Sequence, residues 1–212
     1  MKLRESGMPE ETYWESLFNV RTILDRLGID AMLKDVVELG CGYGTFTVPI
    51  AQRIGGIITT SDIDREMVGR TRRRTRGEGL SNVVCRVADV LTDGFGVAPE
   101  SQDACLLFNI LHCEEPIRLL TEGAKAIRQG GAVFVIHWCH NPTTPRGPSM
   151  AIRPKPGNSI SCAMDNQLME CLSAVLDLPA QALRHSVLTA RGSLGLSRVR
   201  AKSGSHRQPP SV

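Results

Sequence analysis

Short apolar runs alternate with segments of helical periodicity along the first two thirds of the chain. Continuous aliphatic and β-branched runs are typical of buried parallel strands, and they predict strands at 35–39, 57–62, 82–87, 103–109 and 132–138. Helices are predicted between them, over 45–53, 64–76 and 114–128. Strands that alternate with single helices predict an α/β fold, a Rossmann-like doubly wound and mostly parallel sheet.

A helix precedes this alternation. Tyr13, Leu17, Val20 and Leu24 recur at intervals of three and four residues and predict a single helix over 9–27. The chain then divides into an N-terminal helical cap, 1–34, and an α/β core, 35–140. Within the core, the pair Gly130-Gly131 is expected to close the last predicted helix.

The C-terminal third has a different character. All nine aromatic residues lie at or before Trp138. A proline-rich connector is predicted at 141–160, followed by a divergent and partly disordered region at 161–212, in which 162–178 is a candidate helix. No convincing strand pair is predicted there; if a reading-frame change has replaced the usual ending, one edge of the sheet is expected to be open. Two explanations stay open: divergence, or a reading-frame change that replaced the usual ending.

Composition sets broad limits on function. The net charge is only +3, which does not by itself argue for nucleic acid or membrane as a partner. No apolar run approaches the roughly 18 residues of a membrane span, and the N-terminus shows no signal peptide. Seven cysteines form no C-x-x-C pair, which favours reduced thiols and a cytoplasmic location.

The most informative segment is VVELGCGYGT at 36–45, an apolar run with an acid, Glu38, followed by Gly40, Gly42 and Gly44. Glycines directly after a strand let the backbone turn sharply and approach a ligand closely. The N–H groups of the following helix suit an anion. The dinucleotide fingerprint G-x-G-x-x-G is not completed, because its last position is Thr45.

Acids follow the next two strands as well. Asp62 is placed to accept hydrogen bonds from a ribose diol, as in dinucleotide sites, so it cannot name the cofactor alone. It has an alternative role as a helix cap, for which Asp64 is better placed. Asp89 is placed to accept from an adenine amine while Val90 packs on the ring; the alternative is an ordinary turn acid.

Residues 9–153 resemble the class I S-adenosylmethionine (SAM)-dependent methyltransferases through VVELGCGYGT, TTSDID, RVADV, DACLLFNILH and AIRQGGAVFVIHW, in that order. The resemblance implies SAM as cofactor and S-adenosylhomocysteine (SAH) as product. It implies that the glycines hold the methionine part, Asp62 the ribose and Asp89 the adenine amine. By the same resemblance, Glu38 is expected to orient the loop and the methionyl amine, and Asn109 to contact the methionine or the acceptor. The implied cofactor-binding set is Glu38, Gly40, Gly42, Gly44, Thr45, Asp62, Ile63, Asp89, Val90 and Asn109.

The expected activity is methyl transfer to an unidentified small-molecule acceptor. His112 follows strand four and is the candidate general base; the alternative is a packed or solvated histidine. The expected acceptor pocket comprises Tyr13, Trp14, His137 and Arg146. The sequence HWCH at 137–140 contains three possible metal ligands. No remote fourth ligand completes a tetrahedral set, so no metal site is predicted.

A cluster of arginines raises the question of whether the acceptor is RNA. It comprises Arg70, Arg72, Arg73, Arg74 and Arg76. A solvated helix face is one interpretation, and a phosphate-tracking RNA surface is the other. Interleaved aromatic residues for base stacking are missing, and FNILH lacks the N/D-P-P-Y/F sequence of many nucleic-acid amino methylases. Both observations weaken the interpretation as a nucleic-acid methylase. The alternatives kept are an RNA- or protein-modifying methyltransferase and, if the C-terminal third is damaged, a SAM-binding module without turnover.

Overall fold

The computed structural model describes residues 8–111, 113, 115–138 and 194–200, with backbone alone at 117, 137, 138 and 194–200. Six helices and six strands lie in these ranges. The helices are α1 (Glu11–Ser16), α2 (Val20–Leu27), α3 (Thr47–Ala51), α4 (Arg65–Gly77), α5 (Val90–Asp93) and α6 (Pro116–Ala126). The strands are β1 (Val36–Leu39), β2 (Ile58–Asp62), β3 (Val83–Val87), β4 (Gln102–Phe108), β5 (Ile127–Trp138) and β6 (Leu194–Arg200).

The strands form one sheet in the order β3-β2-β1-β4-β5-β6. All pairs from β3 to β5 are parallel, and β6 pairs antiparallel with β5. The predicted α/β, doubly wound and mostly parallel sheet is confirmed. The chain order reverses direction between β1 and β4, so the crevice at their carboxyl ends is where such a sheet binds ligands.

Side chains of the strands alternate between two apolar layers. In β4, Leu106 belongs to the apolar cluster on one face that includes Trp14 and Phe134, whereas Leu107 belongs to the cluster on the other face that includes Val37 and Val135. This period of two is the geometry of a strand that is covered on both faces. No helix in the described part of the chain is long and apolar enough to cross a bilayer.

The N-terminal segment forms two helices, so the prediction of one continuous helix over 9–27 is wrong. The Glu10 carboxylate caps α1 by accepting two main-chain N–H bonds at 3.0 Å each. A second cap starts α2, because Asn19 Oδ1 accepts the N–H of Thr22 at 3.1 Å. An asparagine in this position competes with helix continuation, and the apolar spacing did not reveal it.

The end of α6 also differs from the prediction, because Gly130-Gly131 does not close this helix. The helix ends at Ala126, and Ile127 already pairs with Gln102 of β4. The glycines lie where the register between β4 and β5 shifts, and Gly130 has φ +82°. A Cβ on Gly131 would lie 2.8 Å from the Asp103 carbonyl oxygen, so a close approach of two backbones requires glycine there.

One strand follows β5, in the region where the sequence shows no convincing strand pair. β6 pairs with β5 from Ala132↔Arg200 to Trp138↔Leu194. Its sequence LGLSRVR has one β-branched residue and no aromatic residue, which explains its weak strand signal. The predicted connector at 141–160 and the candidate helix at 162–178 lie outside the described residues.

Candidate functional site

The glycine loop that follows β1 has a backbone that only glycine adopts readily. Gly40, Gly42 and Gly44 have φ values of +80°, +49° and +78°. Space is also limited, because a Cβ on Gly42 would lie 3.0 Å from Met8 Cε and one on Gly44 would lie 3.3 Å from Thr71 Oγ1. Alternating glycines therefore serve both the left-handed turns and the tight packing of neighbouring segments around them.

Asp62 connects the end of β2 to this loop. One carboxylate oxygen accepts the N–H of Gly42 at 3.0 Å, and the other accepts the N–H of Asp64 at 2.9 Å. The side chain is 6% exposed, and this burial raises its pKa while the two N–H bonds oppose the rise. Asp64 itself caps α4 by accepting the N–H of Glu66 at 2.7 Å. The capping role therefore belongs to Asp64, as expected.

Glu38 lies beneath the loop rather than at its surface. Its Oε2 accepts hydrogen bonds from the hydroxyls of Thr47 on α3 and Thr60 on β2, each at 2.6 Å. Burial raises the pKa of this carboxyl to about 7, although the two hydroxyls oppose the rise. Glu38 thus joins the strand before the loop to the helix after it. The threonines were missed from the sequence, where nothing distinguishes them from other core threonines.

Asn109 occupies an unusual position directly after β4. It has φ +55°, is 6% exposed, and its N–H donates to the Ile136 carbonyl at 2.6 Å. Within the described residues, its amide Nδ2 and Oδ1 have no hydrogen-bond partner. The same is true of Thr45 Oγ1, in the turn after the glycines. A buried polar group without a partner costs stability, and a polar molecule bound at the carboxyl ends of these strands would supply the missing partner.

The turn after β3 contains the two residues, Asp89 and Val90, that were predicted to bind the adenine. Asp89 caps the short helix α5 by accepting the N–H of Leu91 at 3.1 Å, and Val90 is buried. Ile63, which follows Asp62, is 42% exposed. The structure thus gives Asp89 a turn role, and it leaves the predicted adenine contact untested.

The N-terminal segment lies over the glycine loop. The Tyr43 hydroxyl donates to the Pro9 carbonyl at 2.8 Å. Trp14 continues an edge-to-face series with Phe18, Phe46 and Phe108, whose ring centroids are 4.8 to 5.2 Å apart. Trp14 is therefore part of the core, whereas Tyr13 is 43% exposed. Their predicted role in the acceptor pocket stays a prediction.

The structure does not describe the side chains of three other residues that were predicted to belong to the site. His112 and Arg146 lie outside the described residues, and for His137 only the backbone is described. Among the side chains that are described, no group of three or more His, Cys, Asp or Glu residues is arranged to hold a metal ion.

The arginine cluster does not form one uniform charged face. Arg70 lies 3.3 Å from Glu11, and Arg74 pairs with Glu15. Arg72 donates to the Cys85 carbonyl of β3 at 3.0 Å. The remaining members, Arg73 and Arg76, are exposed.

A surface cavity of about 370 Å³ lies between α2 and α3, and none of the predicted site residues lines it. The 2.6 Å ion pair between Arg53 and Asp25 belongs to its wall. Its lining residues are Val20, Arg21, Asp25, Pro49, Gln52 and Arg53.

Comparison with known proteins shows that the chain is similar to methyltransferases. The family model of a methyltransferase domain matches residues 36–131. The chain is 30% identical over 118 residues to (S)-coclaurine N-methyltransferase of Thalictrum flavum subsp. glaucum, covering 52% of this chain and 31% of that protein. It is 37% identical over 70 residues to the 23S rRNA (uracil(1939)-C(5))-methyltransferase RlmD of Xylella fastidiosa, covering 33% and 15%.

Two solved structures share the fold. A SAM-dependent methyltransferase from Aquifex aeolicus superposes with a TM-score of 0.62 at 16% identity, covering 91% of this chain and 94% of that one. Coclaurine N-methyltransferase bound to N-methylheliamine and SAH gives 0.51 at 22% identity, covering 65% and 42%. The family model thus matches residues 36–131 as a methyltransferase domain, and the two structures show that the fold is that of SAM-dependent methyltransferases. The matched part spans less than half the length of the curated relatives.

Proposed function

We propose that this chain binds SAM at the carboxyl ends of β1, β2 and β4 and transfers its methyl group to a small-molecule acceptor, leaving SAH. The observation that carries the proposal is the Asn109 amide, which is buried and lacks a partner in the described structure. It lies at the glycine loop, since a Cβ on Gly40 would lie 3.5 Å from the next side chain, Ile110. A polar ligand in this crevice would satisfy the amide.

The residues present fit such a cofactor. Gly40, Gly42 and Gly44 present main chain without side chains, which suits the methionine part. Each Asp62 oxygen that accepts an N–H keeps further acceptor capacity for a ribose hydroxyl. Ile63 offers exposed apolar surface beside it, on which an adenine ring would pack. Asp89 and Val90 would then complete the adenine side of the site.

The protein's task in this reaction is mainly positioning. SAM, when bound, supplies a methyl group that its sulfonium already activates for in-line displacement. Glu38, Asp62 and the glycine loop would hold one reactant, while the N-terminal segment would exclude water. Alignment of this kind contributes on the order of 7–11 kcal/mol. His112 remains the proposed general base, worth about 10²–10⁴-fold where the acceptor must lose a proton.

The acceptor class is proposed from two considerations. One is the similarity to a small-molecule N-methyltransferase, which covers about half of this chain. The other is that Arg70 and Arg74 already have acidic partners on α1, which reduces the charge left for phosphates. An RNA acceptor is the second candidate, favoured by the shorter match to an rRNA methyltransferase. The acceptor pocket of Tyr13, Trp14, His137 and Arg146 stays a proposal.

Calorimetry tests the cofactor first, with SAM, SAH and NAD titrated into the same protein. We expect saturable binding of SAM and SAH and none of NAD; binding of NAD alone would contradict the proposal. Transfer of a labelled methyl group is then measured with a panel of small amines, hydroxyl compounds and thiols, and separately with total RNA. Labelling of small acceptors alone supports the proposed class, labelling of RNA alone supports the second candidate, and SAM binding without any transfer supports a non-catalytic module.

A further inference from the structure

Helix α4 contacts both the glycine loop and the helix that lies above it. Thr71 Oγ1 donates to the Gly42 carbonyl at 2.9 Å. Arg70 stacks over the Tyr43 ring with 5.3 Å between its guanidinium carbon and the ring centroid. Arg74 Nη1 donates to the Tyr43 carbonyl at 3.4 Å. Arg74 lies three positions after Thr71 and four after Arg70, so it neighbours both on the surface of α4.

The same surface of α4 holds α1 by charge. Arg70 Nη1 lies 3.3 Å from Glu11, and Arg74 Nη1 contacts Glu15 and lies 3.8 Å from Glu11. Both pairs of charges are spaced by four residues on their helices, so the two faces match in register. All four side chains are between 37% and 40% exposed, which makes these pairs sensitive to salt.

The segment held in this way also lies against the loop itself. Pro9 accepts the Tyr43 hydroxyl at 2.8 Å, and Met8 Cε would lie 3.0 Å from a Cβ on Gly42. A release of α1 would therefore open the side of the glycine loop that faces Met8.

We propose that Arg70 and Arg74 are positioning residues for the cofactor site: with Glu11 and Glu15 they form an ionic latch that holds α1 closed over the glycine loop. The proposal rests on the proposed function in one respect, namely that the covered crevice is the SAM site. Two members of the arginine cluster that suggested an RNA surface thus form ion pairs within the molecule.

The test uses Arg74→Glu, the charge-swapped double variant Arg74→Glu with Glu15→Arg, and Arg73→Glu as a matched control on the same helix. Hydrogen exchange without any ligand is measured on peptides that cover α1, with those covering α2 as the internal reference. We expect Arg74→Glu to speed exchange in α1 about three- to tenfold and the swap to restore protection largely. We expect Arg73→Glu to change neither helix.

SAM affinity and dissociation rate are then measured at about 0.02 M and 1 M salt, where screening changes most. Arg74→Glu should weaken SAM binding about three- to tenfold at low salt, with the difference shrinking at high salt and the swap restoring affinity. Unchanged exchange in α1 would overturn the latch. Faster exchange with unchanged SAM affinity would overturn its role in the site. Failure of the wild-type chain to bind SAM would remove the proposed function and the cofactor half of this proposal, while the exchange data would still decide whether α1 is latched.

Discussion

The Asp62 carboxylate accepts the main-chain N–H of Gly42 at 3.0 Å. This bond joins the acid that ends β2 to the centre of the glycine loop, 20 positions earlier in the chain. The shape of the loop and the position of the proposed ribose ligand are therefore set by one buried side chain. A change at Asp62 should affect both.

Replacement of Asp62 by Asn tests this coupling. The amide can accept through one atom only, so either the loop or the ligand loses an acceptor. We expect SAM affinity to fall by about 1–3 kcal/mol, measured by calorimetry. Asp64→Ala is the matched control, because it removes the cap of α4 at a stability cost of about 1 kcal/mol and should leave affinity unchanged. Equal losses of affinity in both variants would argue against a specific role for Asp62.

Glu38 makes stability depend on pH. Its pKa rises from 4.5 to about 7 in the folded chain, chiefly through burial. Between these values the folded state retains a proton that the unfolded chain has released, so stability falls as pH rises through this window. The total loss should be about 3 kcal/mol. Urea unfolding between pH 4 and about 8 should show this slope in the wild type and a smaller one in Glu38→Gln; parallel curves would contradict the assignment.

The left-handed turn at Gly44 predicts a cost for the smallest side chain. Gly44 has φ +78°, and its added Cβ would lie 3.3 Å from Thr71 Oγ1 and 3.5 Å from Thr71 Cα. Gly44→Ala should therefore lower the free energy of unfolding by about 1–2 kcal/mol. Gly77 lies in α4, and no atom of the described residues would lie within 4 Å of its added Cβ, so Gly77→Ala should instead stabilise by about 0.4–1 kcal/mol. Denaturant unfolding of both variants measures these free energies. A Gly44→Ala protein as stable as the wild type would contradict the prediction.

Asn109 should separate binding from stability. Its amide has no partner among the described residues, and its φ of +55° suits glycine better than any other residue. Asn109→Gly should therefore keep or raise the melting temperature of the unliganded protein while weakening SAM binding by about 1–3 kcal/mol. A structural role would produce the opposite pattern, with lower stability and unchanged affinity.

Local signals predicted much of the fold because they depend on neighbouring residues. The apolar run before Gly40 predicted β1, and Asp64 predicted the start of α4; both are confirmed. The N-terminal helix was mispredicted because apolar spacing continues through Asn19, where a side-chain cap starts a new helix. β6 was missed because pairing with β5 supplies what its own sequence lacks.

The apolar runs, with acids and glycines at their ends, were enough to predict the doubly wound α/β core and its resemblance to class I methyltransferases. The partners of the arginines of α4 became visible only in the fold, since Arg70 and Glu11 are 59 positions apart, as are Arg74 and Glu15. The tertiary structure likewise showed that Glu38 is buried between two threonines and that the Asn109 amide lacks a partner among the residues that the structure describes. The reason is physical: a backbone turn is set by the residues within it, whereas an ion pair between two helices exists only once the sheet has placed both.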